Sequence, residues 1–215
     1  MDATLQLIRY NKRGRISERR TQPARSFVKA FLQLLFVHMA ELTENVIDID
    51  NTSRAVLSDS DERTPHLLCT HPGLSSGQSF SPFSTATAVY NIYADDCGIQ
   101  VGTSATAVAV ADDNLVAPIV NGSSAGQFVY YGCWGLNYTT GASSASFDIE
   151  RIFRNDSGGN ITVAEIGVYS INTATGSPSQ TQVFGFCILR DVISPTVTVN
   201  NGEYLKVKYT VTVSN

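Results

Sequence analysis

Hydrophobic and polar residues alternate in short runs along the last two thirds of the chain, and Gly, Asn and Ser bound these runs. The final run is the clearest, because lysines and threonines alternate with five residues expected on the inward face: Leu205, Val207, Tyr209, Val211 and Val213. Such alternation predicts a strand with one buried face. About eight runs of this kind follow one another, which is typical of an antiparallel β-sandwich. We therefore predict a mainly β fold, with a jelly-roll-like sandwich domain over residues 87–215.

Residues 1–57 have a different pattern, and we predict that they form a separate assembly segment. Residues 5–10 and a short piece near Ile16 resemble a hairpin across the sequence "NKRG", and Ser26 is the expected N-cap of a helix. Residues 27–42 are apolar on nearly every side of that helix. A helix of this kind must be covered by its own domain or by neighbouring copies.

Charge is distributed unevenly between the N-terminal arm and the rest of the chain. Residues 1–29 contain eight of the fifteen Lys and Arg residues but only Asp2 and Glu18 as acids, so they carry +6 in a chain of net charge −4 and leave −10 elsewhere. Such an arm suits nucleic acid, an anionic membrane or an acidic protein surface. Only Tyr10 is interleaved with the basic residues, which disfavours nucleic acid. We expect other copies of the chain as partners, with a solvated basic strand pair as the alternative.

The arm and the helix together define a predicted assembly interface. Its members are Arg13, Arg15, Arg19 and Arg20 of the arm and Phe27, Phe31, Leu34 and Leu35 of the helix. The same segment imitates a secretory signal peptide, but its basic region is too long and no A-x-A-like site follows. The apolar run also contains Lys29, Gln33 and His38, which are unsuited to a bilayer. We predict neither an export signal nor a membrane span.

A Ser-, Pro- and Gly-rich stretch over residues 58–86 separates the two parts. Loops of this length are usually functional or lie over a partner. The stretch contains His66, Cys69 and His71, whose H-x2-C-x-H spacing offers three metal ligands. The pattern supplies no fourth ligand, so we predict no metal site and leave the role of the stretch open.

The four cysteines lie far apart, in apolar or loop contexts: Cys69, Cys97, Cys133 and Cys187. This spacing predicts free buried thiols in a reducing cytoplasm rather than a disulfide framework.

Two charged residues occupy apolar rows of the stretch "FDIERIFRNDSGGNITVAEIGVY", residues 147–169. If the stretch is a hairpin in which Phe153 faces Val163, Arg151 of the first strand lies opposite Glu165 of the second. A catalytic role would need a second acid or a histidine nearby, and the pattern indicates neither. We therefore predict that Arg151 and Glu165 form a structural ion pair.

No other pattern in the sequence specifies a reaction. It contains no G-x-S-x-G, P-loop or dinucleotide fingerprint, and "NDSGGN" joins two strands without opening a helix. Nucleophilic catalysis needs a base beside the nucleophile, and the chain has only three histidines, one of them inside the apolar helix. We predict no catalytic residue, no cofactor and no small-molecule substrate.

The chain resembles virion structural proteins of tailed bacteriophages. The resemblance rests on "RSFVKAFLQLL", on "GIQVGTSATAVAVADDNLVAPIVNGSSAGQFVYYG", on the 147–169 stretch and on "CILRDVISPTVTVNNGEYLKVKYTVTV". It covers residues 25–38 and 98–213, and its most specific parts are the 147–169 stretch and the final turn and strand. It implies a non-enzymatic β-sandwich that is mounted on the virion as a homo-oligomer, at the capsid, the neck or the tail, in contact with neighbouring virion proteins.

Two other classes of function compete with this one. A host-surface glycan-binding module of a fibre or tail would use exposed aromatic residues, for which the candidates are Tyr130, Tyr131, Trp134 and Tyr138. Ordinary sandwich core is the alternative explanation for these four residues. A hydrolase with an unrecognised site is the third hypothesis.

Overall fold

The computed structural model describes residues 2–24, 26–40, 44–56, 97–177 and 180–214. Within these ranges the chain forms one helix and ten strands. In chain order they are β1 (Asp2–Tyr10), β2 (Ile16–Ala24), α1 (Lys29–Ala40), β3 (Glu44–Ile47), β4 (Ser53–Val56), β5 (Gly98–Gly102), β6 (Val129–Thr140), β7 (Ser144–Arg154), β8 (Ile161–Ser177), β9 (Gln180–Val199) and β10 (Tyr204–Ser214). The prediction of a mainly β fold with one helix is confirmed.

The strands form two antiparallel sheets. Sheet A has the order β2-β1-β10-β7-β6, and sheet B has the order β3-β4-β8-β5, with β9 paired along β8. β10 shows why the sequence folds this way, since Leu205, Val207 and Tyr209 are buried while Lys206 and Lys208 lie on the opposite face. The predicted inward face of β10 is confirmed for Leu205, Val207 and Tyr209, but Val213 near the end of the strand is 53% exposed.

One hydrophobic core lies between the sheets. Val207 of sheet A belongs to the same buried cluster as Val163 and Ile188 of sheet B. The hydroxyl of Tyr209 in β10 also donates a hydrogen bond to Asp191 in β9 at 3.1 Å. Two antiparallel sheets with a shared core are consistent with a β-sandwich.

The predicted N-terminal hairpin is present, but it is not a separate arm. β1 pairs with β2 on one side and with β10 along its whole length on the other. Leu5 and Leu7 of β1 are buried in the core. The described part of residues 1–57 thus supplies strands to both sheets, because the alternation in "LQLIRY" gives β1 an apolar face that only the core can cover.

Helix α1 lies against β9 and β3. The chain enters it alongside β9, where the Val28 amide donates to the Ile188 carbonyl at 3.2 Å. Leu34 faces the core and is fully buried, whereas Leu32 and Phe36 are 65% and 47% exposed. The helix is therefore covered on one side only by the described residues.

The stretch predicted as a hairpin, residues 147–169, instead crosses from sheet A to sheet B. β7 pairs with β10 and β6, whereas β8 pairs with β4, β5 and β9. Asn155 is buried at the crossing, where its side-chain amide donates to the carbonyls of Gly159 at 2.8 Å and Val199 at 2.7 Å. The Gly202 amide donates to the Asn155 carbonyl at 2.6 Å. These bonds hold the turn that carries the chain between the sheets.

Candidate functional site

The predicted pairing of Arg151 with Glu165 is wrong. Both residues are fully buried, but in register Arg151 of β7 lies opposite Val207, and Glu165 of β8 lies opposite Gly102. The two residues belong to different sheets. The alternation correctly placed each residue on a buried face of its strand, but it could not identify the neighbouring strand.

Arg151 links the two sheets through hydrogen bonds to main-chain carbonyls. Its Nε donates to the Tyr131 carbonyl at 2.8 Å, and its Nη1 donates to the carbonyls of Cys97 and Ile99 at 2.8 and 3.0 Å. Its guanidinium also lies 4.7 Å from the centre of the Tyr130 ring. A buried guanidinium is tolerated only when its donors are satisfied in this way, so Arg151 serves as a cross-link between β6, β7 and the start of β5.

Glu165 belongs to an ion cluster with Arg190 and Asp112. Glu165 Oε2 accepts from Arg190 Nε at 2.9 Å and lies 2.8 Å from Arg190 Nη2, and both side chains are fully buried. Arg190 Nη1 donates to Asp112 Oδ2 at 2.8 Å. Burial lowers the pKa of Arg190, but hydrogen bonds and attraction from Asp112 and Glu165 outweigh it and raise that pKa above its ordinary value. Arg190 therefore stays protonated in the cluster.

The ion cluster fastens a long connection, residues 103–121, which we call the clamped loop. Glu165 accepts from the amides of Val116 and Ala117 at 3.1 and 2.7 Å. A Cβ on Gly102 would lie 2.5 Å from Glu165 Oε1 and 2.7 Å from the Ala117 carbonyl oxygen. Only glycine at position 102 allows the carboxylate to approach the loop so closely.

A second contact holds the clamped loop against the face of sheet B that is turned away from the core. Leu115 packs with Tyr169 and Cys187 in a small cluster separate from the main core. The Leu115 amide donates to the Tyr169 hydroxyl at 2.7 Å, and that hydroxyl donates to Asn114 Oδ1. Burial raises the pKa of the Cys187 thiol to about 12 and raises the pKa of Tyr169 well above its usual range.

The polar groups around the clamped loop are already engaged with one another. Both oxygens of Glu165 already accept hydrogen bonds from the loop or from Arg190. Cys187 is buried and held as a thiol, so it is a poor nucleophile. Cys97 and Cys133 are also buried free thiols, as predicted, and burial raises the pKa of Cys133 to about 11.

The outer face of sheet A carries a separate set of charges. Asp148 accepts from Asn137 at 2.8 Å, from Lys208 at 3.1 Å and from the Thr210 hydroxyl at 2.6 Å. Burial alone would raise the pKa of Asp148, but these three donors outweigh it and lower that pKa below its ordinary value. No sequence pattern indicates this network, because its members lie on three strands that are separate in the sequence, β6, β7 and β10.

The arginines of the predicted assembly interface lie along one edge of sheet A. Arg13 and Arg15 are exposed in the β1–β2 turn, and Arg19 is exposed on the edge strand β2. Arg20 is more enclosed: its Nη1 donates to the Pro195 carbonyl, and its Nε lies 4.0 Å from Glu18.

The apolar half of the predicted interface needs a correction. Leu34 is fully buried in the core and cannot contact another molecule. Phe27 and Phe31 stack on each other with ring centres 4.6 Å apart and are half-buried, as is Leu35. Among the α1 side chains that the structure describes, Leu32 and Phe36 are the large apolar residues with the greatest exposure. We call this pair the helix patch.

Sequence reasoning missed the helix patch because α1 is apolar all round, so periodicity could not identify its outer face. The i, i+4 spacing of Leu32 and Phe36 is the only signal in the sequence that groups them. Val110 lies beside the first turn of α1, since its carbonyl accepts from the Lys29 amide at 2.9 Å, and it is 72% exposed.

The four aromatic candidates for glycan binding do not form one site. Tyr130 is buried and packs edge-on against Phe153 with ring centres 4.7 Å apart. Tyr131 and Trp134 are half-buried, and Tyr138 is 73% exposed. Core packing is therefore the correct reading for Tyr130.

The remaining sequence candidates concern metals and membranes. His66, Cys69 and His71, with the rest of residues 58–86, lie outside the described residues. Across the ranges that the structure does describe, three or more His, Cys, Asp or Glu side chains are nowhere grouped to hold a metal ion. The helix within those ranges is too short to cross a membrane.

Comparison of the chain with protein-family models, with curated proteins and with solved structures finds no match.

Proposed function

We propose that this chain is a non-enzymatic structural subunit of a tailed-bacteriophage virion, which assembles as a homo-oligomer on the capsid, neck or tail. The helix patch is the observation that carries the proposal. Leu32 and Phe36 are 65% and 47% exposed on a helix whose other side is in the core. Large apolar side chains grouped on one exposed helix face mark an interaction site.

The second copy of the chain is the occupant to which we assign the helix patch. The N-terminal 29 residues carry +6 and the rest of the chain −10, so two copies offer each other complementary charge. Arg13, Arg15 and Arg19 are exposed and supply this charge along the β2 edge. β2 also contains Pro23, and proline and arginine are residues that protect an edge strand from pairing. Contact at this edge is therefore electrostatic, while α1 supplies the apolar area.

A jelly-roll-like arrangement of the sandwich is part of the proposal. In sheet A, β1 lies beside β10 and β10 lies beside β7, so neighbours in the sheet are distant in sequence. Return of the last strand to the first is characteristic of Greek-key and jelly-roll connections. The clamped loop and its ion cluster then act as a brace that keeps the outer face of sheet B rigid in a particle.

The resemblance to virion proteins supplies the location, and the structure supplies a test of assembly. Because β1 is a central strand of sheet A, deletion of the first 42 residues would remove part of the core, so point substitutions must replace truncation. We expect Leu32→Ser/Phe36→Ser to convert an oligomer into a folded monomer in light scattering coupled to gel filtration. Val213→Ser is the matched control, because Val213 is 53% exposed on β10, and it should leave the oligomer unchanged.

The charge component is tested separately. Arg13→Gln/Arg15→Gln/Arg19→Gln should weaken self-association at about 50 mM salt, and the difference from the wild type should shrink at about 0.5 M salt. If the helix-patch variant has the same mass as the wild type at all concentrations, the helix is not the contact and the proposal loses its main support.

A further inference from the structure

A groove crosses the outer face of sheet A at the end nearest the β1–β2 turn. Its volume is about 350 Å³, and its lining includes Tyr10, Lys12, Glu150, Ile152, Tyr204 and Lys206. Small-ligand sites typically measure about 300–1,000 Å³. The groove is large enough for one or two sugar-sized groups.

The strand register explains the aromatic side of the groove. Tyr10 is the last residue of β1 and lies directly opposite Tyr204, the first residue of β10. Both side chains are half-buried. Ile152 of β7 lies opposite Lys206 and is 9% exposed. Two tyrosines and an isoleucine thus form an apolar wall and floor with hydroxyl groups at the edge.

The charged side of the groove contains one compensated pair and one extra cation. Lys206 Nζ lies 2.5 Å from Glu150 Oε2. Lys12 is exposed in the β1–β2 turn and makes no ion pair with the part of the chain that the structure describes. A Cβ on Gly202 would lie 3.0 Å from Lys12 Cε, so the Lys12 stem lies over that glycine, where the residue lines the groove. The three charges sum to +1.

We propose that this groove binds an acidic saccharide, a pyranose that carries a carboxylate group. A pyranose has an apolar C–H face that packs on tyrosine rings, and its hydroxyls need donors and acceptors at close spacing. The Lys206–Glu150 pair supplies both. The unpaired Lys12 then selects a ligand with a negative charge.

The site is separate from the helix patch, although Lys12 shares the β1–β2 turn with Arg13 and Arg15 of the proposed charge contact. It lies on sheet A, whereas the helix patch belongs to α1, which packs against β9 and β3. The groove also does not contain Tyr138, the most exposed of the aromatic residues that the sequence suggested for glycan binding. Tyr138 is next to Thr139, which pairs with Ser146 at the start of β7, whereas the groove lies near the end of that strand. Self-association through the helix patch and saccharide binding can therefore be tested separately.

Saturation-transfer difference NMR on the full chain tests the proposal, with 3′-sialyllactose as the acidic probe and lactose as the neutral one. We expect saturable binding of sialyllactose and up to about fivefold weaker binding of lactose, the effect of losing one exposed charge contact. Lys12→Gln should weaken sialyllactose binding to the level of lactose, and Tyr10→Ala should abolish it. Tyr138→Ala is the matched control and should bind like the wild type. Lys12 lies in an exposed turn, so Lys12→Gln keeps the fold, and circular dichroism checks both groove variants.

Three results would overturn the proposal. The first is the absence of saturable sialyllactose binding at millimolar concentrations. The second is unchanged affinity in folded Lys12→Gln and Tyr10→Ala. The third is equally strong displacement of sialyllactose by tetraglutamate, which would show that the groove reads charge alone and not a sugar ring.

Discussion

Removal of Glu165 should destabilise the protein more than removal of any surface ion-pair partner. Glu165→Ala leaves the fully buried guanidinium of Arg190 with Asp112 as its acidic partner in the ion cluster. Loss of one partner of a buried ion pair costs about 3–5 kcal/mol, because the other charge stays buried. The amides of Val116 and Ala117 lose their acceptor as well, at about 1 kcal/mol or more each.

Two features of the structure refine this magnitude. Asp112, whose side chain is 21% exposed, still compensates Arg190, which keeps the cost near the lower end of the ion-pair range. The two lost amide acceptors raise it again, so we expect about 5 kcal/mol in total for Glu165→Ala. Glu165→Gln keeps a carbonyl acceptor and should cost about 3 kcal/mol. Replacement of both charges, as Glu165→Leu/Arg190→Met, should cost less than the sum of the single changes.

Urea denaturation at pH 7, followed by circular dichroism, measures these free energies of unfolding. The matched control is Arg154→Ala, which breaks a half-exposed pair with Asp156 at 2.9 Å and should cost less than about 1 kcal/mol. If Glu165→Ala unfolds at the same urea concentration as Arg154→Ala, the Glu165 carboxylate does not make the predicted contribution to stability. Unequal m-values would instead mean that the denatured state has changed, and the comparison would then be made by hydrogen exchange.

Three further predictions follow from single contacts. Gly102→Ala should destabilise the protein and increase hydrogen exchange in the clamped loop, because the added Cβ would lie 2.5 Å from Glu165 Oε1; unchanged exchange would contradict this. Asp148→Asn should make stability fall less steeply in acid. The depressed pKa of Asp148 contributes stability that is complete above the ordinary value of 3.8 and is lost as the pH falls through the folded-state pKa. Parallel pH–stability curves for the variant and the wild type would refute this prediction. Cys133 and Cys187, with pKa values raised to about 11 and about 12, should resist alkylation at pH 8 until urea unfolds the chain, and mass spectrometry of the two peptides would reveal early labelling if they do not.

The sequence pattern predicted correctly which face of several strands is buried, but it did not predict which strands pair. The alternation of β10 placed Leu205, Val207 and Tyr209 in the core, and the structure buries all three. The same reasoning put Arg151 and Glu165 in buried rows, which is also correct. Their assumed pairing failed because a period of two fixes the face of each strand but leaves open whether the next strand stays in the sheet.

The true partner of Glu165 could not have been found by spacing. Arg190 is 25 residues away in β9, and Asp112 comes from a loop that precedes both. Three segments must fold before the cluster exists, and no local signal links them. The role of Gly102 could not be predicted either, because it depends on the close approach of the Glu165 carboxylate to the Gly102 backbone.

The N-terminal segment shows a different failure. Its positive charge suggested an exposed arm, but charged residues indicate only that one face of a strand is exposed. They do not show whether the opposite face is buried. Leu5 and Leu7, at alternate positions of β1, are buried, and this pattern was available from the sequence. The helix start was placed early for a related reason: the Ser26 carbonyl accepts from the Arg190 amide at 3.1 Å, so the chain runs along β9 before the helix begins at Lys29.

The central claim is that the chain is a virion subunit that contacts other copies through the helix patch. Electron cryo-microscopy of purified virions of the phage proposed to encode this chain tests it most directly. The account predicts repeated density for the two-sheet fold at symmetry-related positions, with Leu32 and Phe36 buried between neighbouring copies. Particles that lack the chain, or that hold it as isolated copies with Leu32 and Phe36 facing solvent, would contradict the account.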